Sequence, residues 1–197
     1  MDRKANGISM CHYAVLTIGE NGEYSYGNFK PITGLESASF QDQFAEGENY
    51  ADDIQNIYEK VITSANITLD FSNVSRQIEA ELTGKEYAAG EMETKTTDVQ
   101  NSVAIAFQKN FNDGSHERIV YYNCKVARAE NSGQTKTSSI SYQSVQLSGK
   151  AIPLPDGKVS YIIASNEIGS DNAEAKARYD NFFKKVQFKG VAAQTGV

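Results

Sequence analysis

Apolar and polar residues alternate with a period of two along much of the chain, a pattern typical of half-buried β-strands. Four rows of alternate apolar residues show it: Ala65, Ile67, Leu69 and Phe71; Val103, Ile105 and Phe107; Val120, Tyr122, Cys124 and Val126; and Val159, Tyr161 and Ile163. In the third row the opposite face is also apolar, because Ile119 and Tyr121 lie on it. The sequence therefore predicts that something packs on both sides of that strand, and a neighbouring subunit is one candidate.

Residues that favour turns separate these predicted strands. Asn21-Gly22 and Asn112-Asp113-Gly114 each lie between two apolar runs and are typical of short hairpin connections. Pro155-Asp156-Gly157 predicts a third turn, because proline presets φ and glycine tolerates a positive φ. The apolar positions change parity between Tyr142 and Val145, which predicts a β-bulge. We therefore expect a chain made mainly of antiparallel β-sheet.

Two short segments have helical spacing instead. In the first, apolar residues recur at steps of four from Val74 to Leu82, and Gly84 is placed to end the helix. In the second, Asp171 and Glu174 predict a capping box at the start of the helix. The apolar stripe that follows comprises Ala175, Tyr179, Phe182 and Val186. We expect this stripe to pack against a sheet.

The length and composition fit a single folded domain spanning residues 1–197. With 40% hydrophobic residues, a chain of 197 residues can build a core without disulfides or metal. Its two cysteines, Cys11 and Cys124, lack the spacing of a metal or redox site, so we expect two buried thiols. The last segment, Gly190–Val197, is small and polar, which predicts a flexible tail.

The charge of the chain disfavours tight binding of nucleic acid. The formal net charge is −6, and no basic run is present to replace the counterions of phosphates. The first seven residues are polar, and no apolar run approaches the roughly 20 residues of a membrane-spanning helix. The sequence therefore predicts neither a signal peptide nor a membrane-spanning helix.

No pattern of catalytic residues is recognisable, and we expect neither enzyme activity nor a bound cofactor. His12 and His116 lie at strand positions without a nucleophile motif, which favours packed or surface histidines. Thr83-Gly84-Lys85 lacks the other residues of a phosphate-binding loop.

An acidic stretch, Glu46–Asp53, lies between two predicted strands and is expected to form an extended loop. Its carboxylates can in principle bind a hard cation, but their spacing does not match the calcium-loop pattern. We therefore expect no metal there, and a solvated or interfacial loop is the favoured interpretation.

Several long stretches of the chain carry a resemblance to one family. The most extensive is the opening, Asp2–Asp53, and the others are Asn56–Ser72, Ile78–Tyr87, Lys95–Lys109, Val120–Arg128, Val145–Tyr161 and Ser165–Asp171. In these stretches, and to about Phe188, the chain resembles the major tail proteins of long-tailed bacteriophages with non-contractile tails. A likeness over nearly the whole chain is more specific than a short motif.

This resemblance implies a tail-tube fold, which is a β-sandwich flanked by one or two α-helices. It implies that six copies close a ring whose inner strands form a continuous β-barrel, and that rings stack into the tube through which the genome is ejected into the host. An extended loop reaches from ring to ring in such proteins, and Glu46–Ile57 is the best candidate for it. The candidate inter-ring and inter-subunit contact residues are Glu46, Glu48, Asn49, Tyr50, Asp52, Asp53 and Ile57. No added immunoglobulin-like domain is expected.

The resemblance also implies where the protein works and with which partners. The expected location is the virion tail, assembled in the cytoplasm of the host bacterium. Expected partners are further copies of the chain and the tape-measure, distal tail and tail-terminator proteins, with no membrane involved. DNA is expected to pass through the lumen without specific binding. Few lumen-facing positions are then lysine or arginine, since a basic wall would bind phosphates and retard ejection.

Two other functions stay open on the sequence alone. One is a β-sandwich binding module that recognises the host surface. The other is the tube of a phage-tail-like bacteriocin or of a secretion device.

Overall fold

β-Strands dominate the computed structural model, which describes residues 2–51, 54–131 and 144–195. The described strands are β1 (Ala5–Ile18), β2 (Tyr24–Tyr26), β3 (Lys30–Pro31), β4 (Leu35–Ala51), β5 (Ile54–Phe71), β6 (Tyr87–Ala88), β7 (Glu91–Met92), β8 (Val103–Phe111), β9 (His116–Arg128), β10 (Val145–Ala151) and β11 (Ser160–Ala164). The helices of the same residues are α1 (Arg76–Thr83), α2 (Ala173–Asp180) and a 3₁₀ turn at Ser165–Glu167. Strands make up 49% and helices 11%, which confirms the predicted mainly β fold.

Nine of these strands form one antiparallel sheet, with the path β2-β1-β8-β9-β10-β5-β4. Strand β3 extends the sheet beside β1, and β11 extends it beside β9. One edge of β9 is therefore shared, because its first half pairs with β11 and its second half pairs with β10. Strands β6 and β7 pair separately as a small hairpin. The predicted antiparallel sheet is thus confirmed.

The three predicted turns are confirmed. Asn21-Gly22 lies in the connection from β1 to β2, and Asn112-Asp113-Gly114 joins β8 to β9. Gly114 has a φ of 79°, a left-handed conformation that residues with a Cβ rarely adopt. In the third turn, Pro155-Asp156-Gly157, the Gly157 N–H donates to the Leu154 carbonyl oxygen at 2.8 Å.

One core, which we call the inner core, brings residues of β1, β5, β8, β9 and β10 together with α1. The predicted row of alternate residues from Ala65 to Phe71 is fully buried there. Phe40 of β4 stacks on Tyr121 of β9, with 4.2 Å between the ring centroids. Since β4 and β9 are separated by two strands in the path, the sheet must curl around this core for the two rings to meet.

A second core, which we call the outer core, lies on the other face of β1, β8 and β9. Helix α2 and the segment after it cover this face, and Phe182 and Val186 are buried in one cluster with Val120 and Tyr122. The cover predicted on the second side of β9 therefore comes from the chain itself.

The apolar row predicted on β9 does not lie on one face, so that part of the prediction is wrong. Val120 and Tyr122 belong to the outer core, whereas Tyr121 and Cys124 belong to the inner core. The register between β8 and β9 shifts at this point, which changes the parity of the strand. The bulge predicted near Tyr142 falls on residues outside the described ranges.

Helix α1 ends as its sequence pattern predicts but begins at Arg76, after Val74, the first apolar residue of the predicted row. The Ser75 side chain caps the start by accepting the Ile78 N–H at 3.3 Å. Gly84 ends the helix in the left-handed conformation, with a φ of 71°. The predicted stop at this glycine is confirmed.

Helix α2 differs from its prediction at both ends. Asn172 is the capping residue, because its side chain accepts the Ala175 N–H at 2.9 Å, and the capping box expected at Asp171 is wrong. The helix ends at Asp180, so the last two residues of the predicted stripe lie in the turns that follow. Both are nevertheless buried in the outer core, as the stripe predicts.

One buried side chain holds the C-terminal segment. The Gln187 side chain donates to the Gln194 carbonyl oxygen at 2.8 Å and accepts the Gln194 N–H at 2.9 Å. The Tyr122 hydroxyl donates to the Gln187 carbonyl oxygen at 3.0 Å, which ties the same segment to β9. The predicted flexible tail, Gly190–Val197, is thus bonded to the body as far as Gln194, and its last two residues lie outside the described ranges.

We expect neither thiol to react while the protein is folded. Cys11 and Cys124 are free and buried, as predicted, and β8 lies between their strands in the sheet. Burial raises the pKa of the Cys11 thiol to about 12 and also raises the pKa of Cys124, so little thiolate forms near neutral pH. An aromatic disulfide reagent should label both thiols in denaturant and neither in buffer. Native labelling as fast as that of an exposed control thiol, Gly47→Cys, would contradict the burial of these residues.

Candidate assembly surface

Strands β4 and β5 form an unusually long hairpin of 17 and 18 residues. The stretch Glu46–Ile57 is therefore not the extended loop that the sequence predicts. Apart from Asp52 and Asp53, which lie outside the described residues, it belongs to these two strands. Gly, Asn and acidic residues are depleted in strands, so the sequence pattern does not predict strand at this end of the hairpin. Backbone pairing between the strands overrides that preference.

The far half of the hairpin pairs only with itself. β10 pairs with β5 only from Ala65 to Phe71, so residues 43–51 and 54–64 have no third strand among the described residues. We call these two ranges the hairpin ribbon. Nine residues of extended strand reach about 30 Å. Because an isolated two-stranded hairpin is marginally stable in water, the ribbon would be stabilised by any surface that covers it.

Contacts between the two strands orient the ribbon. Glu46 and Lys60 are opposite residues and form an ion pair of 2.9 Å. The Lys60 ammonium also lies 4.6 Å from the centroid of the Phe44 ring. The hydrogen bond and the charge of Lys60 lower the pKa of Glu46, and Glu46 raises the pKa of Lys60 in the same way. Both charged groups are exposed, so the pair sets the direction of the side chains more than it stabilises the fold.

Three large apolar side chains are exposed on the ribbon. Phe44 is 46% exposed, Tyr58 is 52% exposed and Val61 is 61% exposed. The strand alternation places Phe44 and Tyr58 on one face and Val61 on the other. A single exposed apolar residue is ordinary, but three on an arm without a core of its own are typical of an interaction surface.

No protein-family model matches the chain, and no curated protein matches it either, so the surface has to be understood from its own residues. The predicted contact residues that lie in the ribbon are Glu46, Glu48, Asn49, Tyr50 and Ile57. Asp52 and Asp53 belong to the same prediction but lie outside the described residues. The structure thus brings five of the seven residues onto one element, and their part in contacts stays a prediction.

Phe44, Tyr58 and Val61 are the surface residues that the sequence pattern misses. Apolar residues come in adjacent pairs in this part of β5, and the register shifts beside Phe44, so the alternation of a strand is not visible. The available signal is the enrichment in aromatic and β-branched residues from Ile57 to Thr63, which favours a strand without giving its faces.

The face of β4, β5 and β10 that points away from the inner core is polar. The residues of this polar face are Ser37, Ser39, Gln41, Asn66, Thr68, Asp70, Gln146, Ser148 and Lys150. Asp70 accepts hydrogen bonds from the Ser37 hydroxyl and from the Gln146 amide at 2.9 Å, and these bonds lower its pKa. Uncharged hydroxyl and amide groups dominate the face.

Two strand edges beside the polar face have no partner strand among the described residues. One is the outer edge of β4, which pairs with β5 alone. The other is the edge of β9 at Lys125–Arg128. β8 pairs with β9 only as far as Cys124, so Lys125–Arg128 pair with β10 on one side and with no strand on the other. Unpaired edges of this kind are templates for a strand of another chain.

The histidines lie at the strand positions that the sequence indicates. The His12 ring lies 4.8 Å from the Phe183 ring, and the backbone N–H of His116 donates to the Ser165 hydroxyl at 2.9 Å. Within the described ranges, no three His, Cys, Asp or Glu side chains are grouped as metal ligands would be. No helix of those ranges has the length and apolar character needed to cross a membrane.

Proposed function

We propose that this protein is the major tail protein of a long-tailed bacteriophage and that it builds the tube of a non-contractile tail. Six copies form a ring, the rings stack into a hollow tube, and the genome leaves through the lumen. The resemblance of the sequence from Asp2 to about Phe188 supports this proposal, and so does the mainly β fold. In this proposal, the curled sheet with its two cores is the β-sandwich of one subunit.

The observation that carries the proposal is the hairpin ribbon. An arm about 30 Å long with unpaired edges and with Phe44, Tyr58 and Val61 exposed is a liability for a monomer, since such features promote association. In a tube subunit the same arm contacts the next ring. The five predicted contact residues that the structure describes lie on the outer part of this ribbon, beyond the last pairing with β10.

The two free strand edges provide a way to close the ring. In this arrangement, β4 of one copy pairs with Lys125–Arg128 of the next, and the contact repeats head to tail until the rotation closes. Closure removes both edges from solvent, which lowers the tendency to aggregate.

In this arrangement we place the polar face on the wall of the lumen. Its nine residues include one lysine and one aspartate, and the exposed Lys125 of β9 lies opposite Lys150, so DNA phosphates meet two lysines among mostly uncharged groups. Few counterions of the DNA are then displaced, and attraction to the wall stays weak. This placement follows the expectation that lysine and arginine are rare on the lumen side.

Negative-stain electron microscopy over a concentration series tests the tube. We expect hollow tubes or six-fold rings from the full chain. A variant lacking Glu48–Asp53 should stay folded by circular dichroism but should not grow tubes. Val61→Ser should raise the concentration at which tubes appear, whereas the control Val99→Ser should not, because Val99 is 72% exposed but lies outside the ribbon.

Two results would contradict parts of this proposal. If the shortened variant forms normal tubes, the tube function stands but the ribbon does not make the contact between rings. Dispersed monomers of the full chain at every concentration would favour the host-surface binding module. Neighbouring genes distinguish a phage from a phage-tail-like bacteriocin or secretion device. Tape-measure and terminase genes indicate a phage, whereas sheath and effector genes indicate the device.

A further inference from the structure

One extra residue lies in β5 at the point where the hairpin ribbon leaves the rest of the sheet. Gln43 and Phe44 are consecutive in β4, but their partners in β5 are Ser64 and Ile62, so Thr63 is the extra residue. Such an insertion is a β-bulge, which bends its strand and increases the local twist. The bulge therefore sets the direction in which the ribbon leaves the sheet.

Burial of the neighbouring residues shows the same change of strand parity. Ala65 is fully buried in the inner core, and Ile62, three residues earlier, still packs against that core. In a regular strand, residues three apart point to opposite faces. The extra residue thus keeps Ile62 on the core side, and the alternation then places Tyr58 and Lys60 on the same face as Phe44.

The bulge lies at the boundary between the body of the protein and the ribbon. β10 pairs with β5 as far as Ala65, so β5 lies between two strands up to that residue. Beyond Thr63, β5 pairs with β4 alone among the described residues. The other register shift of the ribbon lies between Asn49 and Tyr50, near its tip. A bend at Thr63 therefore turns the whole ribbon relative to the body, whereas the shift near the tip turns only its last residues.

Side-chain hydrogen bonds hold the bend in one shape. The Thr63 hydroxyl donates to the Gln43 carbonyl oxygen at 3.1 Å, from one strand to the other. The Gln43 amide donates to the carbonyl oxygens of Gln41 at 3.3 Å and Asp42 at 3.4 Å. Three successive carbonyl groups of β4 thus accept side-chain bonds beside the bulge. Since each such bond stabilises the arrangement that forms it, they favour a fixed direction of the ribbon over a free hinge.

We infer that the bulge at Thr63 directs the hairpin ribbon toward the ring that it contacts, so that Thr63 is a positioning residue for assembly. The inference rests on the proposed tube function, in which the ribbon contacts the next ring. The exposed Tyr58 lies beyond the bulge on β5, about 17 Å along an extended strand. A change of direction at Thr63 therefore displaces Tyr58 from its place in the contact.

Deleting Thr63 removes the bulge without exchanging the faces of the ribbon. The pairs Gln43–Ser64 and Phe44–Ile62 then follow each other directly on both strands, so the register and the side-chain faces stay as they are. The variant should keep the circular dichroism spectrum of the unmodified chain but should lose tube growth in negative-stain electron microscopy. Thr63→Ser is the matched control. It keeps the extra residue and the hydroxyl, so it should assemble normally.

Distances between spin labels measure the direction of the ribbon in the absence of assembly. Labels on Gly47→Cys in the ribbon and Lys150→Cys in β10 report how the two elements are oriented. The buried Cys11 and Cys124 are not labelled. In dilute protein, we expect deletion of Thr63 to shift the mean distance and Thr63→Ser to leave it unchanged. A loss of fold alone would not give this pattern.

A second variant removes the bulge by a change in the opposite strand. One alanine inserted between Gln43 and Phe44 gives Thr63 a residue opposite it and makes the hairpin regular. From that point outward the faces of the ribbon are exchanged, because every further residue moves by one position in the alternation. We expect folded protein without tubes from this variant too. If the deletion variant does not fold, the insertion variant decides.

The outcomes distinguish this inference from the function on which it rests. Normal tubes from the deletion or from the insertion would overturn the positioning role of Thr63 and leave the tube function standing. An unchanged label distance after the deletion would also overturn it, because the bulge would then not set the direction of the ribbon. An unmodified chain that forms neither rings nor tubes would overturn the tube function and the positioning role together.

Discussion

Replacing Glu79 by alanine is expected to lower the free energy of unfolding by about 3–5 kcal/mol. The Glu79 side chain is 5% exposed on α1, and its carboxylate lies 2.7 Å from the Arg76 guanidinium and 3.0 Å from that of Arg128. Arg128 is 14% exposed and extends from β9, so this carboxylate ties the helix to the sheet. Removing it leaves the Arg128 charge largely buried without its partner, which is the costly way to break a buried pair.

Urea unfolding followed by circular dichroism measures this loss, provided that the m-value of the variant matches that of the unmodified chain. Glu86→Ala is the control, because Glu86 is 82% exposed and pairs with Lys95 at 2.8 Å. It should leave the urea midpoint nearly unchanged, since exposed pairs contribute little. Glu79→Gln should fall between the two, because its amide can still accept a hydrogen bond. Equal midpoints for Glu79→Ala and Glu86→Ala would show that the buried pair does not stabilise the fold.

The substitution Gly149→Ala is expected to destabilise the protein by at least about 3 kcal/mol, the upper end of what overpacking costs. Gly149 lies in β10 and pairs with Ile67 of β5 and Val126 of β9. A Cβ there would overlap the Lys125 carbonyl oxygen and would lie 2.8 Å from the Val126 Cα. These are backbone atoms of a paired strand, so β9 and β10 must separate to admit one methyl group.

Gly47→Ala is the matched control for this substitution. Gly47 is also a strand glycine, but a Cβ there meets no atom within 4 Å. Its variant should be as stable as the unmodified chain or slightly more stable, because alanine reduces the conformational entropy of the unfolded chain. Thermal and urea unfolding of the two variants side by side provide the measurement. A Gly149→Ala protein with an unchanged midpoint would mean that the strands separate at little cost.

The sequence predicts those strands that bury one face. The row from Ala65 to Phe71 is an example, because the inner core requires an apolar residue at every second position. Strand β9 is only partly predictable, since it is buried on both faces and its parity changes between Tyr122 and Cys124. The outer part of β4 is not predictable for the opposite reason. None of the residues 43–47 is buried, so no core imposes an apolar pattern on them.

Burial also explains which residues of the candidate assembly surface could be predicted from the sequence. The acidic stretch Glu46–Asp53 was identifiable because it contains four acidic residues and no basic residue, although the strand conformation of residues 46–51 was not. Phe44, Tyr58 and Val61 were not identifiable, because the surface proposed to cover them belongs to another copy and leaves no period in this chain. The helical spacing after Asn172 correctly predicted that Phe182 and Val186 are buried. Both residues lie in the turns after α2, however, and not in the helix.

The division of β9 between two cores has a mechanical consequence. Tyr121 and Tyr122 are adjacent in the chain but point into different cores, so neither core can open without straining the strand on which the other depends. We therefore expect partial opening in the hairpin ribbon, and we expect the amide hydrogens of β8 and β9 to exchange mainly when the whole molecule unfolds, which hydrogen exchange measures. In the proposed tube, we expect the wall to bend at the contacts between subunits while each subunit keeps its shape.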